Sequence, residues 1–200
     1  MTTPRDLLIT ALDVTPDRPL ERGDMALALA GAELIDLLTA QAVGLDGEDI
    51  VPGHRPETTD RLLDEAESSL VRRAPYETVE EWLWRRGRGL SAEYLADLES
   101  AGQLTRRPRR WRFFQSGQLV LADTPDRHAA AERRESDEPV LAALTEALGV
   151  RSERSGESAT VDDAVATVLA AVNDALTELE AVRQRRAIEE AAFDNVWRGE

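Results

Sequence analysis

A short run of this chain concentrates positive charge beside aromatic rings. Five arginines fall within seven residues with no acidic residue between them: Arg106, Arg107, Arg109, Arg110 and Arg112. Three aromatic residues lie among them or directly after them, namely Trp111, Phe113 and Phe114. A guanidinium group binds phosphate or carboxylate through paired hydrogen bonds, and large aromatic side chains bury much apolar area at an interface. The pattern therefore predicts a surface that binds an anionic partner.

The rest of the chain has the opposite charge. The 200 residues carry a formal net charge of -15, and all 24 basic residues are arginine, with no lysine. Together with abundant alanine, leucine and glutamate, this usage favours a high-GC bacterial genome, so arginine alone says little about function. The clustering of arginine in an acidic protein is the informative feature.

Several classes of chemistry have no support in the sequence. The chain has no cysteine, which excludes disulfides, cysteine-ligated zinc and thiol nucleophiles. His54 and His128 lie in polar stretches without a second metal-ligand spacing, and Gly87-Arg-Gly89 is too short for a phosphate-binding loop. No nucleophile or dinucleotide motif is present. We predict a protein that is not an enzyme, with no catalytic residues, no metal and no cofactor.

The hydropathy pattern argues against a membrane span. No apolar run approaches the roughly 20 residues that a transmembrane helix needs, and the N-terminal residues show no secretory signal pattern. We expect a cytoplasmic protein whose membrane contact, if it has any, is peripheral and at the inner face.

Helical periodicity dominates the chain. An apolar segment over 25–42, with Asp24 as its cap, predicts a helix at the centre of the domain, and Gly31 in its middle indicates close packing. Thr78 and Glu81 form a capping-box pattern, and Asp46-Gly47 predicts a β-hairpin. Further helices are predicted over 4–12, from Thr59 or Asp60 to 70, and over 91–101, 126–134 and 138–148.

The whole chain, 1–200, is predicted to form one domain. A polar loop over 150–159 leads to a long amphipathic C-terminal helix over 160–190, which we expect to pack on the same domain; a partner helix or self-association is the alternative. We therefore predict a mainly α fold, a compact helical single domain with small β-hairpins. One hairpin, with strands over 103–114 and 118–121, projects and carries the arginines and aromatic residues.

Two acidic residues interrupt the apolar central helix. Glu33 and Asp36 either form a charged stripe or pair with arginine in the core. A pair in the core is more often a structural ion pair than an acid-base dyad.

Three interpretations of the arginine-rich hairpin compete. Docking on anionic lipid is worth about 1 kcal/mol per arginine near the membrane. A winged-helix contact with nucleic acid is disfavoured, because the helix over 91–101 carries Glu93, Asp97 and Glu99 but no arginine, and would repel phosphate. In the third interpretation, the arginines pair with acidic helices of the same chain or of a neighbouring subunit.

The order of segments resembles a known family. An opening Leu7-Leu-Ile-Thr-Ala-Leu-Asp13, an apolar helix containing Gly31 and Glu33-Leu-Ile-Asp-Leu37, and Glu77-Thr-Val-Glu-Glu-Trp82 occur in that order. Leu62 to Ala66, and Leu95 to Leu104 followed by the hairpin, complete the set. This arrangement is similar to the Golgi phosphoprotein 3-like family, of which the chain resembles a bacterial member.

The resemblance implies a mostly helical domain with a projecting hydrophobic hairpin. Eukaryotic members bind phosphatidylinositol 4-phosphate and recruit coat and glycosyltransferase partners, so phosphatidylinositol phosphate binding is the implied activity. Their lipid pocket uses a Trp and three Arg; only Arg88 keeps its residue type here, and the other positions fall near Glu21, Ala30 and Ser91. Because most of the pocket residues are not kept, the arginine cluster predicts a broad contact with an anionic surface. A bacterium has no Golgi, so the trafficking role does not transfer.

The leading hypothesis is a peripheral membrane protein. Arg88 and the five clustered arginines are expected to contact lipid phosphates, and Trp111, Phe113 and Phe114 to insert into the membrane. Trp84 is expected on the same side, whereas Trp82 is expected in the core. The alternative is a protein-interaction adaptor, in which the same hairpin binds an acidic partner or mediates self-association.

Overall fold

The structure is a computed structural model that describes residues 2–14, 20–54, 60–107, 118–150 and 161–198; for residues 106, 107, 118 and 191–198 it describes the backbone alone. These ranges contain eight helices and two antiparallel hairpins. The helices are α1 (Thr3–Asp13), α2 (Arg22–Thr39), α3 (Arg61–Ser68), α4 (Val79–Arg86), α5 (Leu90–Ser100), α6 (Pro125–Glu135), α7 (Pro139–Ala147) and α8 (Asp163–Arg198). The strands are β1 (Val43–Asp46), β2 (Asp49–Pro52), β3 (Leu104–Arg107) and β4 (Gln118–Leu121). The predicted fold class, mainly α with small hairpins, is confirmed.

Helix α2 is the centre of the core. It packs against α1, α4, α5 and α8, and every residue from 24 to 35 is buried. A helix rich in alanine and leucine on all sides is stable only when other elements cover it on all sides. The predicted helix over 25–42 is therefore central, as expected.

Both predicted ends of α2 need correction. The helix begins at Arg22 with Glu21 in the cap position, so the prediction of Asp24 as the cap is wrong. Asp24 lies inside the first turn, where it is buried and pairs with Arg183 of α8 at 2.8 Å. The helix ends at Thr39 and not at residue 42, because Gln41 adopts a left-handed backbone conformation with φ of 56°.

Gly31 brings α2 and α8 into close contact. A Cβ atom placed on Gly31 would lie only 2.4 Å from Cγ2 of Val172. Val168, Val172, Ala175 and Leu176 of α8 are buried on this side of the core. The close packing predicted from Gly31 is confirmed, and α8 packs on its own domain as expected. Beyond this contact the helix leaves the core, since residues 184–190 are all exposed.

The first hairpin attaches to the start of α4. Strands β1 and β2 pair from Val43–Pro52 to Asp46–Asp49, and Gly47 turns with φ of 63°, as Asp46-Gly47 predicts. The Ile50 amide donates to the Glu77 carbonyl at 2.8 Å. Next to this contact, Thr78 and Glu81 form both hydrogen bonds of the predicted capping box.

The second hairpin follows α5, which stops at Gly102 with φ of 70°. Strands β3 and β4 pair antiparallel from Leu104–Leu121 to Arg107–Gln118. The predicted strand over 103–114 is thus described only as far as residue 107, and residues 108–117 lie outside the described ranges. Nearly all of the predicted loop over 150–159 likewise lies outside the described ranges.

Asp60 caps α3 through two backbone amides, as predicted.

Within the described ranges, no helix combines the length and the apolar character that are needed to cross a membrane.

Candidate membrane-facing surface

The arginine-rich run begins on a paired strand. Arg106 and Arg107 occupy the last two positions of β3, opposite Leu119 and Gln118 of β4. Leu104 anchors the strand in the core with 2% of its surface exposed. The other predicted contact residues, Arg109, Arg110, Arg112, Trp111, Phe113 and Phe114, lie outside the described residues.

This hairpin packs against α5 through its first strand. Strand β3 follows Gly102 at the C-terminal end of α5 and packs against that helix. Leu119 of the partner strand shares a cavity wall with Ser91 in the first turn of α5. Arg106 is opposite Leu119 in this strand pair, and that it lies near Arg88 stays a prediction.

Arg88 is exposed in the connection between α4 and α5. A glycine on each side shapes this connection. A Cβ atom on Gly87 would lie 2.6 Å from the Leu83 carbonyl oxygen, and Gly89 has φ of 79°. Within the part of the chain that the structure describes, the Arg88 guanidinium has no ion pair. Its charge is available to a partner from outside.

Arg86, two residues earlier, is in the opposite situation. Its Nε and Nη2 atoms donate to the two carboxylate oxygens of Glu33 at 2.8 and 2.9 Å. Tyr94 donates its hydroxyl to the same carboxylate at 3.0 Å. Glu33 is fully buried. Of the two interpretations of this residue, the buried ion pair with an arginine is confirmed.

Burial controls the protonation of this cluster. Removal from water raises the pKa of Glu33 to about 7, although the hydrogen bonds from Arg86 and Tyr94 oppose the shift. Burial likewise raises the pKa of the Tyr94 hydroxyl. Without the paired hydrogen bonds, the carboxylate of Glu33 would be an uncompensated charge in the core.

Asp36 makes a different contact. Its Oδ2 atom accepts a hydrogen bond from the backbone N–H of Thr3 at 2.8 Å, so it supplies the start of α1 with an acceptor. Burial raises the pKa of Asp36. Asp36 thus joins α1 to α2 through a backbone amide.

The two tryptophans of α4 have different surroundings. Trp82 is fully buried, and its indole N–H donates to the Ala30 carbonyl at 3.0 Å, so the prediction that it is a core residue is confirmed. The Arg85 guanidinium lies 5.2 Å from the centre of the Trp82 ring and also pairs with Glu77. Trp84 is half-buried against the core; its place on a membrane-facing side stays a prediction.

Other arginines of the helical body are also paired with acids. Arg133 pairs with the buried Asp6, and Arg72 with the buried Glu67. The remaining pairs are Arg5 with Asp60 and Asp97, Arg61 with Glu65 and Asp97, Arg127 with Asp13, and Arg183 with Asp24 and Glu180. These pairs involve arginines of the body; the third interpretation concerns the hairpin arginines, whose side chains lie outside the described residues, and stays a prediction.

The positions that the family resemblance assigns to a lipid pocket are only partly adjacent. Glu21 and Ser91 line one cavity of about 450 Å³ between α1, α2, α5 and β4. Ala30 is fully buried, and Arg88 is not among the described residues that line the cavity. Sequence reasoning did not predict this cavity, because its wall combines four elements that are distant along the chain.

The histidines remain at the surface. His54 and His128 are both exposed, and Nε2 of His128 lies 2.9 Å from Asp123. Among the described residues, no group of three or more His, Cys, Asp or Glu side chains is arranged to hold a metal ion.

Comparison with known proteins agrees with the order of segments. The family model described as Golgi phosphoprotein 3 (GPP34) matches residues 4–196, nearly the whole chain. No curated protein matches the chain significantly.

Proposed function

The chain belongs to the Golgi phosphoprotein 3 (GPP34) family, and we propose that it is a non-enzymatic peripheral membrane protein that binds the phosphate groups of anionic phospholipids. The single observation that carries this proposal is the run of five arginines and three aromatic residues that begins in β3 and precedes β4 along the chain. Phosphatidylinositol phosphates are the more specific candidate ligand, and only the membership of this family supports them.

The arrangement of charge in the body supports this proposal. Many arginines of the helices pair with acids, as Arg86 does, whereas Arg88 is exposed next to α5 and, like the exposed Arg73, has no ion pair among the described residues. We infer that the hairpin extends toward the same end of α5, and the cavity lined by both Leu119 and Ser91 supports this. Arg88 and the clustered arginines would then face one membrane together.

The expected energy fits reversible binding. Each arginine near an anionic membrane contributes about 1 kcal/mol, and a partly inserted aromatic side chain contributes about 1–2 kcal/mol, less than full burial. Five arginines with two inserted rings give about 7–9 kcal/mol. The acidic body opposes binding, but screening acts over about 8 Å at physiological salt, so arginines held farther than this from the body would avoid most of the repulsion.

Co-sedimentation with vesicles tests the proposal. The wild-type protein should sediment with vesicles that contain phosphatidylglycerol at low salt, and less as salt increases; binding to neutral phosphatidylcholine vesicles should be weak. The variant Arg109→Gln/Arg110→Gln/Arg112→Gln should lose most of this binding. A matched control removes three exposed arginines elsewhere, Arg73→Gln/Arg185→Gln/Arg186→Gln, and should keep it. Equal binding to both vesicle types, or binding to neither, contradicts the proposal.

The same assay separates lipid binding from an adaptor role. The variant Trp111→Ser/Phe113→Ser/Phe114→Ser should weaken vesicle binding without changing the oligomeric state in size-exclusion chromatography with light scattering. If it dissolves an oligomer and leaves vesicle binding unchanged, the hairpin is a protein interface.

A further inference from the structure

Helix α8 is longer than the body on which it packs. Among the described side chains, Leu176 is the last buried residue of α8, and Leu179 is its last apolar residue packed on the core. Residues 184–190 are exposed, and the helical backbone continues to Arg198. A short helix without tertiary contacts is only marginally stable in water. The exposed residues 184–190 therefore lack the packing that usually stabilises such a segment.

A stripe of residues spaced alternately four and three apart runs along α8, with the spacing of a coiled coil. Its members are Val168, Val172, Ala175, Leu179, Val182, Arg186, Glu189, Phe193 and Val196. The first three are buried in the body, the next two are half-buried, and the two charged members are exposed. The stripe that α8 uses to pack on its own domain thus continues beyond the body, which is typical of a helix that packs against a second helix.

The two charged members of the stripe have no partner within the chain. Among the described residues, neither Arg186 nor Glu189 forms an ion pair, whereas Arg183, about one turn earlier, pairs with Asp24 of α2. Arginine precedes glutamate by four residues at Arg186 and Glu190, which is the weaker order for an ion pair within a helix. The charges of the stripe are therefore available to another chain.

The order of residue types along the stripe selects the partner. From Leu179 to Val196 the stripe has two apolar residues, then Arg186 and Glu189, then two apolar residues. Read in the opposite direction it has the same order with the two charges exchanged. Two antiparallel copies would therefore place each Arg186 opposite the other copy's Glu189, whereas two parallel copies in register would place like charges together, which is destabilising. A twofold axis pairs residue i with j and j with i, so one antiparallel arrangement satisfies all four charges.

We propose that the C-terminal half of α8 forms an antiparallel coiled coil with α8 of a second copy of this chain. Two central layers of Arg186 and Glu189 fix the register, as polar layers do in other coiled coils. On either side of them, Val182 of one copy packs on Phe193 of the other. This interface is separate from the arginine-rich hairpin. Each copy carries its own hairpin, so vesicle binding does not require the pair.

Sedimentation equilibrium of the full chain tests the pair. Wild type should form a dimer. Arg186→Glu places glutamates opposite each other and should raise the dissociation constant of the dimer at least about tenfold. Glu189→Arg, which places arginines opposite each other, should do the same. The control Gln184→Glu adds a negative charge at an exposed position on the other face of the helix, and should leave the constant unchanged.

A mixture of the two single variants gives the sharper test. Arg186→Glu offers only negative charge in the central layers, and Glu189→Arg offers only positive charge. An equimolar mixture should therefore recover a dimer of nearly wild-type affinity, and so should the double variant Arg186→Glu/Glu189→Arg. Recovery in the mixture requires contact between two chains, so a change inside one chain does not explain it.

Three outcomes would contradict the pair. A wild type that stays monomeric up to about 100 μM, a weak limit for a specific complex, overturns it. A dimer that Arg186→Glu leaves unchanged places the interface elsewhere. A mixture that does not recover the dimer, although circular dichroism shows both single variants folded, excludes the antiparallel register.

The hairpin variant Arg109→Gln/Arg110→Gln/Arg112→Gln separates this proposal from the membrane contact. It should form the dimer as wild type does, whatever its binding to vesicles, because it keeps α8 intact. Loss of the dimer in this variant would assign the interface to the hairpin and contradict the pairing of α8.

Discussion

Arg86 and Arg88 are two residues apart and have opposite environments. Arg86 is largely buried and joins α4 to α2 through both oxygens of Glu33, whereas Arg88 is exposed without an ion pair among the described residues. The difference arises because Gly87 ends α4 and turns the chain outward. The comparison teaches that an arginine of this protein joins the core where a buried carboxylate faces it and stays at the surface where none does, so the tertiary structure decides its role.

The largest expected effect contrasts these two arginines directly. Arg86→Met should destabilise the protein by about 3–5 kcal/mol, because it leaves the Glu33 carboxylate buried without its cation. Arg88→Met should change the free energy of unfolding by no more than about 0.5 kcal/mol. Urea denaturation measures both. Similar losses in the two variants would mean that the environments do not differ as described.

The protonation of Glu33 should make the buried region sensitive to pH. Its pKa is about 7 in the folded protein, against an ordinary value of 4.5. The folded state therefore binds a proton more readily than the unfolded chain between these values, and the contribution of Glu33 to stability decreases as pH rises from about 4.5 to 7. At 1.36 kcal/mol per pKa unit, the decrease amounts to about 3 kcal/mol at most.

Glu33→Gln provides the measurement for this pH effect. Urea denaturation between pH 4.5 and pH 7.5 should show a larger decrease in stability for wild type than for the variant. Asp6 and Asp36 also have raised pKa values, but they are present in both proteins and cancel in the difference. Identical pH profiles of wild type and Glu33→Gln would mean that other groups cause the pH dependence of stability.

A smaller effect is expected where the interior is tight but uncharged. Gly31→Ala places a Cβ atom 2.4 Å from Val172, and such overpacking costs about 1–3 kcal/mol. Gly44→Ala, at a position with no atom within 4 Å of the new Cβ, should be close to neutral. Thermal denaturation compares them. Adding Val172→Ala should recover part of the loss in Gly31→Ala, and no recovery would place the strain elsewhere.

The smallest effect concerns the exposed arginine alone. Arg88→Gln should lower partition onto phosphatidylglycerol vesicles about fivefold, since one arginine near the surface contributes about 1 kcal/mol. Co-sedimentation at low salt measures this change, with Arg73→Gln as the matched exposed control. An effect no larger than that of the control would remove Arg88 from the membrane-facing surface.

Local patterns predicted much of the fold. The capping box at Thr78 and Glu81, the Asp46-Gly47 turn and the stop at Gly102 all occur where the residues indicate, because these signals act over a few residues. The start of α2 was not predictable in this way. Asp24 has the side chain of a good cap, but Arg183 of α8, distant along the chain, pairs with it in the first turn.

The same distinction between local patterns and contacts of distant residues applies to the candidate surface. The arginine and aromatic run is visible in the sequence because its members are adjacent. The cavity beside Ser91 was not visible, since residues of α1, α2, α5 and β4 must first come together to enclose it. Likewise, nothing local to Arg86 indicates that Glu33, more than 50 residues away, is its partner.

By itself, the sequence of this protein determined the helical periodicity, the turns and the clustering of positive charge, because each depends on residues that are close along the chain. Only the tertiary structure decided which arginines pair with acids, that α8 is the helix packed against Gly31, and which elements enclose the cavity beside Ser91. Those features depend on which elements pack together, and packing joins side chains that the order of residues keeps apart.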